Sequence, residues 1–183
     1  MSAVENNLPL KMSRANLEHV PEFTLPDGFA LRCHQPGDEL HWLRIQAAAD
    51  RYHNISPALF DRQFGSDRNL LSARQCYLLA PAGDAVGTGT AWWDDDFQGC
   101  RWGRVHWLAL APEFQGRGLA KPLMTWVCRR LRELGHDRAY LSTSTARRAA
   151  IGLYLRFGFE PLILSAEEAA VWRGLLPSVG RNV

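Results

Sequence analysis

A chain of 183 residues with a formal net charge of +2 and 22% charged residues is long enough to bury a core as one domain, and too weakly basic to bind nucleic acid by charge alone. Its four cysteines, Cys33, Cys76, Cys100 and Cys128, fit neither a Cys-x2-Cys zinc site nor a redox pair, so no metal is expected and each reads as a small buried group or a free thiol. No window nears the roughly 18 apolar residues of a membrane span, and the N-terminus lacks a basic start and an apolar run. A cytoplasmic protein without a membrane partner is expected.

Residues 1–27 carry Pro9, Pro21 and Pro26 and little periodicity. They predict an arm laid over the domain, partly mobile, with a helical turn or two over Arg14 to Val20. Phe29 to Cys33 alternates as a first strand, and Pro36-Gly37-Asp38 stops it and caps a helix. Leu40, Leu43 and Ala47 form the expected apolar stripe of that helix, with Trp42 beside it. Ser56-Pro57 is a helix start, Phe60 and Phe64 share one face, and Gly65 ends it. Gln75 to Ala80 and Ala85 to Trp93 predict strands joined by the turn Pro81 to Asp84, followed by a polar connection from Asp94 to Gly103.

Arg104 to Leu110 predicts the central strand. It runs through Ala111-Pro112-Glu113-Phe114 into Gln115-Gly116-Arg117-Gly118-Leu119-Ala120, and a helical stripe of Leu119, Leu123, Trp126, Val127, Leu131 and Leu134 follows. Pro122 conflicts with that helix unless it begins at Gly118 or Leu119, or is kinked in its first turn. Asp137 to Ser142 then predicts a strand, Arg147 to Arg156 a helix, Phe159 to Leu164 a final strand, and Glu167 to Leu175 a closing helix with Trp172 packed back. The order β-α-α-β-β-β-α-β-α-β predicts an α/β (α+β) fold with a mixed sheet flanked by helices.

A strand, a glycine-rich turn and a helix in that order make an anion site. The glycines permit close backbone approach, the first N–H groups of the helix are free, and Arg117 adds a positive charge. The sequence G-R-G-L-A-K-P from Gly116 fails the Walker A pattern, which needs G-x-x-x-x-G-K-[ST]. A dinucleotide fingerprint needs a third glycine where Lys121 stands, and it follows a first strand, not a fourth.

The turn reads Q-x-x-G-x-A, and with the strand before it resembles the signature of the GNAT superfamily of N-acetyltransferases. Ala150 to Phe159, A-x-x-x-Y-x-x-x-G-F, resembles that family's later motif, about 35 residues on and in the right order. Arg147 departs from the pattern, since many members carry an asparagine seven residues before the tyrosine; one side-chain contact to the cofactor is thereby put in question. The resemblance implies a GNAT-like domain over residues 28–165, with residues 166–183 as a closing helix and tail.

It also implies an N-acetyltransferase in which the amine attacks acetyl-CoA directly in a ternary complex. The competing reading is a CoA-binding sensor that transfers nothing. By resemblance the pyrophosphate sits on Gln115, Gly116, Arg117, Gly118, Leu119 and Ala120, and the pantetheine arm pairs with Leu108, Ala109 and Leu110. A backbone N–H near Leu108 holds the thioester oxygen, and Tyr154 acts as general acid. His106, read as sharing a strand face with Leu108, is a candidate base, with a packed core histidine as the other reading. The run Asp94-Asp95-Asp96 is a second base candidate, with a solvated hairpin loop as the other reading, and Tyr52, His53, Phe60, Trp92, Trp93 and Asp94 are the acceptor-side candidates. The expected partner is a small-molecule or peptide amine, with a homodimer allowed and a dedicated base not required.

Overall fold

The computed structural model describes residues 7–179; the first and last few residues of the expected arm and tail lie outside that range. The strands are β1 (Pro9–Arg14), β2 (Ala30–Cys33), β3 (Gln75–Leu79), β4 (Ala85–Phe97), β5 (Cys100–Leu110), β6 (Ala139–Ser144) and β7 (Glu160–Pro161). The helices are α1 (Glu39–Ala49), α2 (Pro57–Phe64), α3 (Arg68–Arg74), α4 (Ala120–Glu133), α5 (Arg148–Arg156) and α6 (Ala166–Val179). Hydrogen bonding orders the strands β2-β3-β4-β5-β6-β1-β7. The β2–β3, β3–β4, β1–β6 and β1–β7 pairs are antiparallel, whereas β5 and β6 are neighbours joined through α4, the connection of a parallel pair. The mixed α/β sheet predicted from the sequence is present.

The residues group into two compact units. One takes the described residues through Pro21, with Trp93–Arg104 and those from Leu131 onward; the other takes Glu22–Trp92 and Val105–Arg130. In the second unit the sheet carries helices on both faces. Trp42, Ile45, Leu59, Phe60, Phe64, Leu71, Tyr77 and Ala85 form one buried layer, joined by the partly buried Trp92, Trp107 and Ala109. Cys76, Leu78, Val86, Leu110, Leu119 and Leu123 form the other, with Leu108 against it. Gly87 and Gly89 let the second of these layers close: a Cβ on Gly87 would lie 2.5 Å from Leu110 Cδ2, and one on Gly89 2.9 Å from Val127 Cγ2.

In the first unit no helix forms over Arg14 to Val20, and Pro9–Arg14 lies where a loose arm was expected. It is a strand paired on both sides, Pro9 opposite Ser144 to Arg14 opposite Ala139 in β6, and Met12 opposite Pro161 in β7. Leu10 and Met12 are buried and alternate with Lys11. Two apolar residues give too short an alternation to stand out in sequence; pairing with distant strands makes the element. Phe97 stacks on Tyr140 at 3.7 Å, with Trp102 packed edge-on.

Four further expectations change. The α1 stripe is not Leu40, Leu43 and Ala47: Leu40 is 69% exposed, and Trp42, Ile45 and Gln46 are buried. Those three stand at i, i+3 and i+4, so the largest apolar side chain sets the buried side. A third helix, α3, unpredicted, is capped by the Asp67 carboxylate, which accepts from the Asn69 N–H. The run Asp94 to Gly103 is strand apart from Gln98-Gly99, whose φ of 55° and 77° make a two-residue hairpin turn. The last strand shrinks to Glu160–Pro161, and Ile163 and Leu164 are exposed. The Ser56 cap on α2 forms as predicted, its side chain accepting from the Leu59 N–H. Pro122 is tolerated because α4 begins at Ala120 and its first turn has no intrahelical use for that N–H.

Candidate active site

After β5 the chain makes one 3-10 turn, Pro112–Phe114, and then an exposed loop from Gln115 to Gly118. Gly116 and Gly118 have φ of 71° and 78°, a region that side chains other than glycine avoid. An added Cβ at either would meet nothing within 4 Å. The glycines are therefore needed for their backbone angles, and the space above them is open to a ligand.

Leu119 is buried and fixes the start of α4 against Leu110 and Leu123. The leading N–H groups of α4 have no carbonyl within the helix to bond. Arg117 is exposed and lies over the rings of Phe29 and Phe114, 5.7 and 5.3 Å from their centroids. Gln115 departs from its expected role. Its N–H donates to the Pro112 carbonyl and its side-chain Nε2 donates to the Leu110 carbonyl at 2.9 Å. It ties the turn to the strand, and the backbone donors available to an anion run from Gly116 to Ala120.

Strand β5 carries an irregularity that the sequence does not announce. Trp107 has φ of 49°, unusual for a bulky residue and costly unless its surroundings enforce it. They do. The Trp107 carbonyl accepts from buried Gln46 Nε2 at 2.9 Å, its indole N–H donates to Gln63 at 3.0 Å, and its ring packs edge-on against Trp42 at 5.1 Å. The bulge breaks the alternation of the strand. His106 and Trp107 both lie against the Trp42–Phe64 layer, as Ala109 does, while Leu108 and Leu110 face the α4 side. His106 therefore does not share a face with Leu108. It is 4% exposed, with Phe64 at 5.6 Å, the packed reading of this histidine. Because a peptide unit is planar and trans, the bond that Gln46 makes to the Trp107 carbonyl also fixes the opposite direction of the Leu108 N–H.

The acceptor-side candidates fall into three environments. Phe60 is core, 1% exposed, and Trp92 packs on Phe64 at 5.6 Å. Tyr52 is 40% exposed and receives Arg51 at its hydroxyl, whereas His53 is bonded to Asp50. Trp93 and Asp94 belong to the other unit. There the Tyr140 hydroxyl donates to Asp94 at 2.7 Å and, with the Asp96 N–H, holds its carboxyl below the usual range. Asp95 accepts from Trp93 Nε1 and pairs with Arg101 at 3.0 Å. These carboxylates are strand residues engaged by their neighbours. The pairing of Asp50 with His53 is the feature the sequence reading missed; its only trace there is an aspartate three residues before a histidine at the end of a helix.

Tyr154 lies on α5, which ends where the Phe157 and Phe159 N–H groups both donate to the Tyr154 carbonyl. The ring is 7% exposed, and burial pushes its phenol up to about 12 against a smaller opposing effect of Arg147. Among the described residues no group of three or more His, Cys, Asp or Glu is placed to hold a metal ion, and no helix is long and apolar enough to cross a membrane.

The family model described as Acetyltransferase (GNAT) family matches residues 39–159. The chain is 32% identical over 150 residues to a mycothiol acetyltransferase of Streptomyces coelicolor, covering 76% of this chain and 45% of that protein. It is 30% identical over 164 residues to a mycothiol acetyltransferase of Nocardia farcinica, covering 82% and 52%. The chain thus spans about half the length of the curated relatives it matches. Its fold is similar to that of a GCN5-related N-acetyltransferase from Sphaerobacter thermophilus, with a TM-score of 0.67 at 21% identity over 84% of this chain and 48% of that one. It is also similar to glucosamine-6-phosphate N-acetyltransferase from Arabidopsis thaliana, with a TM-score of 0.56 at 17% identity over 75% and 95%.

Proposed function

The chain belongs to the acetyltransferase (GNAT) family, and from that premise we propose that it is an N-acetyltransferase acting from acetyl-CoA on a primary amine. The observation that carries the reading is the exposed turn with two left-handed glycines at the head of α4, directly after a bulged strand. That geometry suits a pyrophosphate, with Gly116 to Ala120 supplying N–H groups and Arg117 a charge. The thioester supplies an activated acyl carbon, and Leu108, Ala109 and Leu110 are the backbone proposed to align the arm that bears it.

The proposed oxyanion donor is the Leu108 N–H, its direction fixed through Gln46. One such preorganised donor is worth roughly 3 kcal/mol of barrier. Tyr154 is the proposed acid. With its phenol at about 12, the proton is retained at neutral pH, ready to be given. A free thiol titrates near 8.5, so complete transfer to a thiolate is uphill. The O–H therefore acts by hydrogen-bonding the sulfur as negative charge builds on it. The curated relatives are named for mycothiol, and a small-molecule amine is the acceptor class proposed. Free thiols at Cys33, Cys76, Cys100 and Cys128 suit a reducing cytoplasm.

Incubating the protein with acetyl-CoA and a panel of amines, read by mass spectrometry, should yield an acetylated product. No product above the enzyme-free control, with acetyl-CoA still raising the melting temperature, would leave a CoA-binding domain without transfer. Tyr154→Phe should lower the rate of the chemical step about a hundredfold with little change in acetyl-CoA affinity. An unchanged chemistry-limited rate removes Tyr154 as the acid.

A further inference from the structure

We infer that His53, oriented by Asp50, is the general base that takes the proton from the attacking amine; the inference rests on the acetyltransferase reading above. Asp50 closes α1, its N–H donating to the Gln46 carbonyl. Its carboxylate is turned inward, with the side chain 7% exposed. There Oδ1 accepts from the Tyr52 N–H at 2.8 Å and Oδ2 meets His53 Nδ1 at 2.7 Å. A buried carboxylate on Nδ1 fixes the tautomer: that nitrogen carries the hydrogen and Nε2 carries the lone pair.

The His53 side chain is half exposed, so Nε2 belongs to a ring that solvent and an incoming amine can reach. The other contact of the ring places it. It packs edge-on against Trp107, centroids 5.4 Å apart at 70°. Trp107 is the residue at the bulge, adjacent to the proposed oxyanion donor Leu108, and its indole is locked by Gln63 and Trp42. Helix α1 thus acts on Trp107 twice, once on its carbonyl and once through His53 on its ring. Gln46 holds the Trp107 carbonyl, and Asp50, one turn on, holds the imidazole that rests on the Trp107 ring. His106, the other imidazole of this layer, is 4% exposed and wedged against Phe64, with no comparable access.

The step balances without a further reactant. The nitrogen lone pair of the neutral amine forms the C–N bond as the carbonyl electron pair moves onto oxygen at the Leu108 N–H. The N–H proton of that nitrogen passes to His53 Nε2, directly or through one water, and the imidazolium is stabilised by Asp50. The carbonyl re-forms, the C–S bond breaks, and the sulfur leaves as thiolate, hydrogen-bonded by the Tyr154 O–H, and takes its proton from solvent as His53 returns one there.

The test is single-turnover acetylation at saturating acetyl-CoA, using an amine that the wild-type protein acetylates. His53→Gln should lower the rate about a hundredfold or more, leaving acetyl-CoA affinity and melting temperature at wild-type values. His53→Ala should be partly rescued by added imidazole, and Asp50→Asn should show a smaller loss in the same direction. An unchanged rate in His53→Gln overturns the assignment, as does a loss accompanied by a fall in melting temperature and no imidazole rescue. Those results leave the acetyltransferase reading intact. Failure of the wild-type protein to acetylate any amine while binding acetyl-CoA overturns that reading and the base together.

Discussion

The glycine turn at the head of α4 and the aromatic layer around Trp42 and Trp107 are built on opposite plans. The turn is backbone: exposed, contiguous over Gln115 to Gly118, and shaped by two glycines on which an added Cβ would meet nothing within 4 Å. The layer is side chain. Trp42 is fully buried, with Phe60, Phe64 and Trp107 packed edge-on at 5.2, 5.7 and 5.1 Å, residues drawn from α1, α2 and β5. As proposed, the turn would accept any ligand bearing a suitably placed anion, because main-chain N–H groups do not discriminate among them. The layer sets the geometry of Trp107 and His53, and in the proposed reaction it therefore bears on how the amine's proton leaves. Damage to the layer should thus appear in stability, and damage to the turn in ligand affinity.

The largest separation is expected from Trp42→Ala. Removing a fully buried tryptophan from a packed layer should destabilise the protein by about 3–5 kcal/mol, measured by urea or thermal unfolding. The remaining folded protein should keep its acetyl-CoA affinity, and a parallel collapse of that affinity would break the distinction. Gly118→Asp should do the reverse. It places a side chain at φ of 78° and a negative charge where the phosphates are proposed, and should weaken acetyl-CoA binding at least tenfold, roughly 1.4 kcal/mol, by calorimetry. The melting temperature should shift only modestly, since a Cβ there meets nothing; intact affinity would remove the phosphates from this turn.

The smallest effect is expected at the rim of the layer. His34 is buried, with Nδ1 bonded to Gln75 Oε1 at 3.0 Å and Tyr77 donating to the same oxygen. Burial lowers its pKa, against weaker raising effects of Gln75, Asp38 and Glu39, with Arg68 adding to the lowering. The unfolded chain, titrating near 6.5, therefore binds this proton before the folded chain does. Stability is full above that pH and falls as the pH drops through it toward the lower folded value. Melting curves should show this loss in the wild-type protein and a flatter slope in His34→Gln. Identical slopes would assign the loss to another group.

How much of this was legible follows from the same contrast. Gln115 to Ala120, the Ser56-Pro57 cap and the motif around Tyr154 are contiguous stretches, and the sequence names them directly. The α1 stripe was misread because Leu40, Leu43 and Ala47 satisfy helical spacing as well as Trp42, Ile45 and Gln46 do. Only packing against α2 and β5 chooses between them. His106 was paired with Leu108 by alternation, a rule that holds until a bulge breaks it, and Trp107 has no glycine or proline to mark one. β1 was missed because six residues with two apolar positions acquire meaning only between β6 and β7.

By itself, then, the sequence determined the family, the α/β architecture and the glycine turn, all of which rest on local backbone chemistry and short-range spacing. The tertiary structure alone decided which face of β5 each side chain takes, that Gln46 and the His53 ring both reach Trp107, and that His53 and not His106 is accessible. Those outcomes depend on contacts between residues tens of positions apart, and no local propensity encodes them.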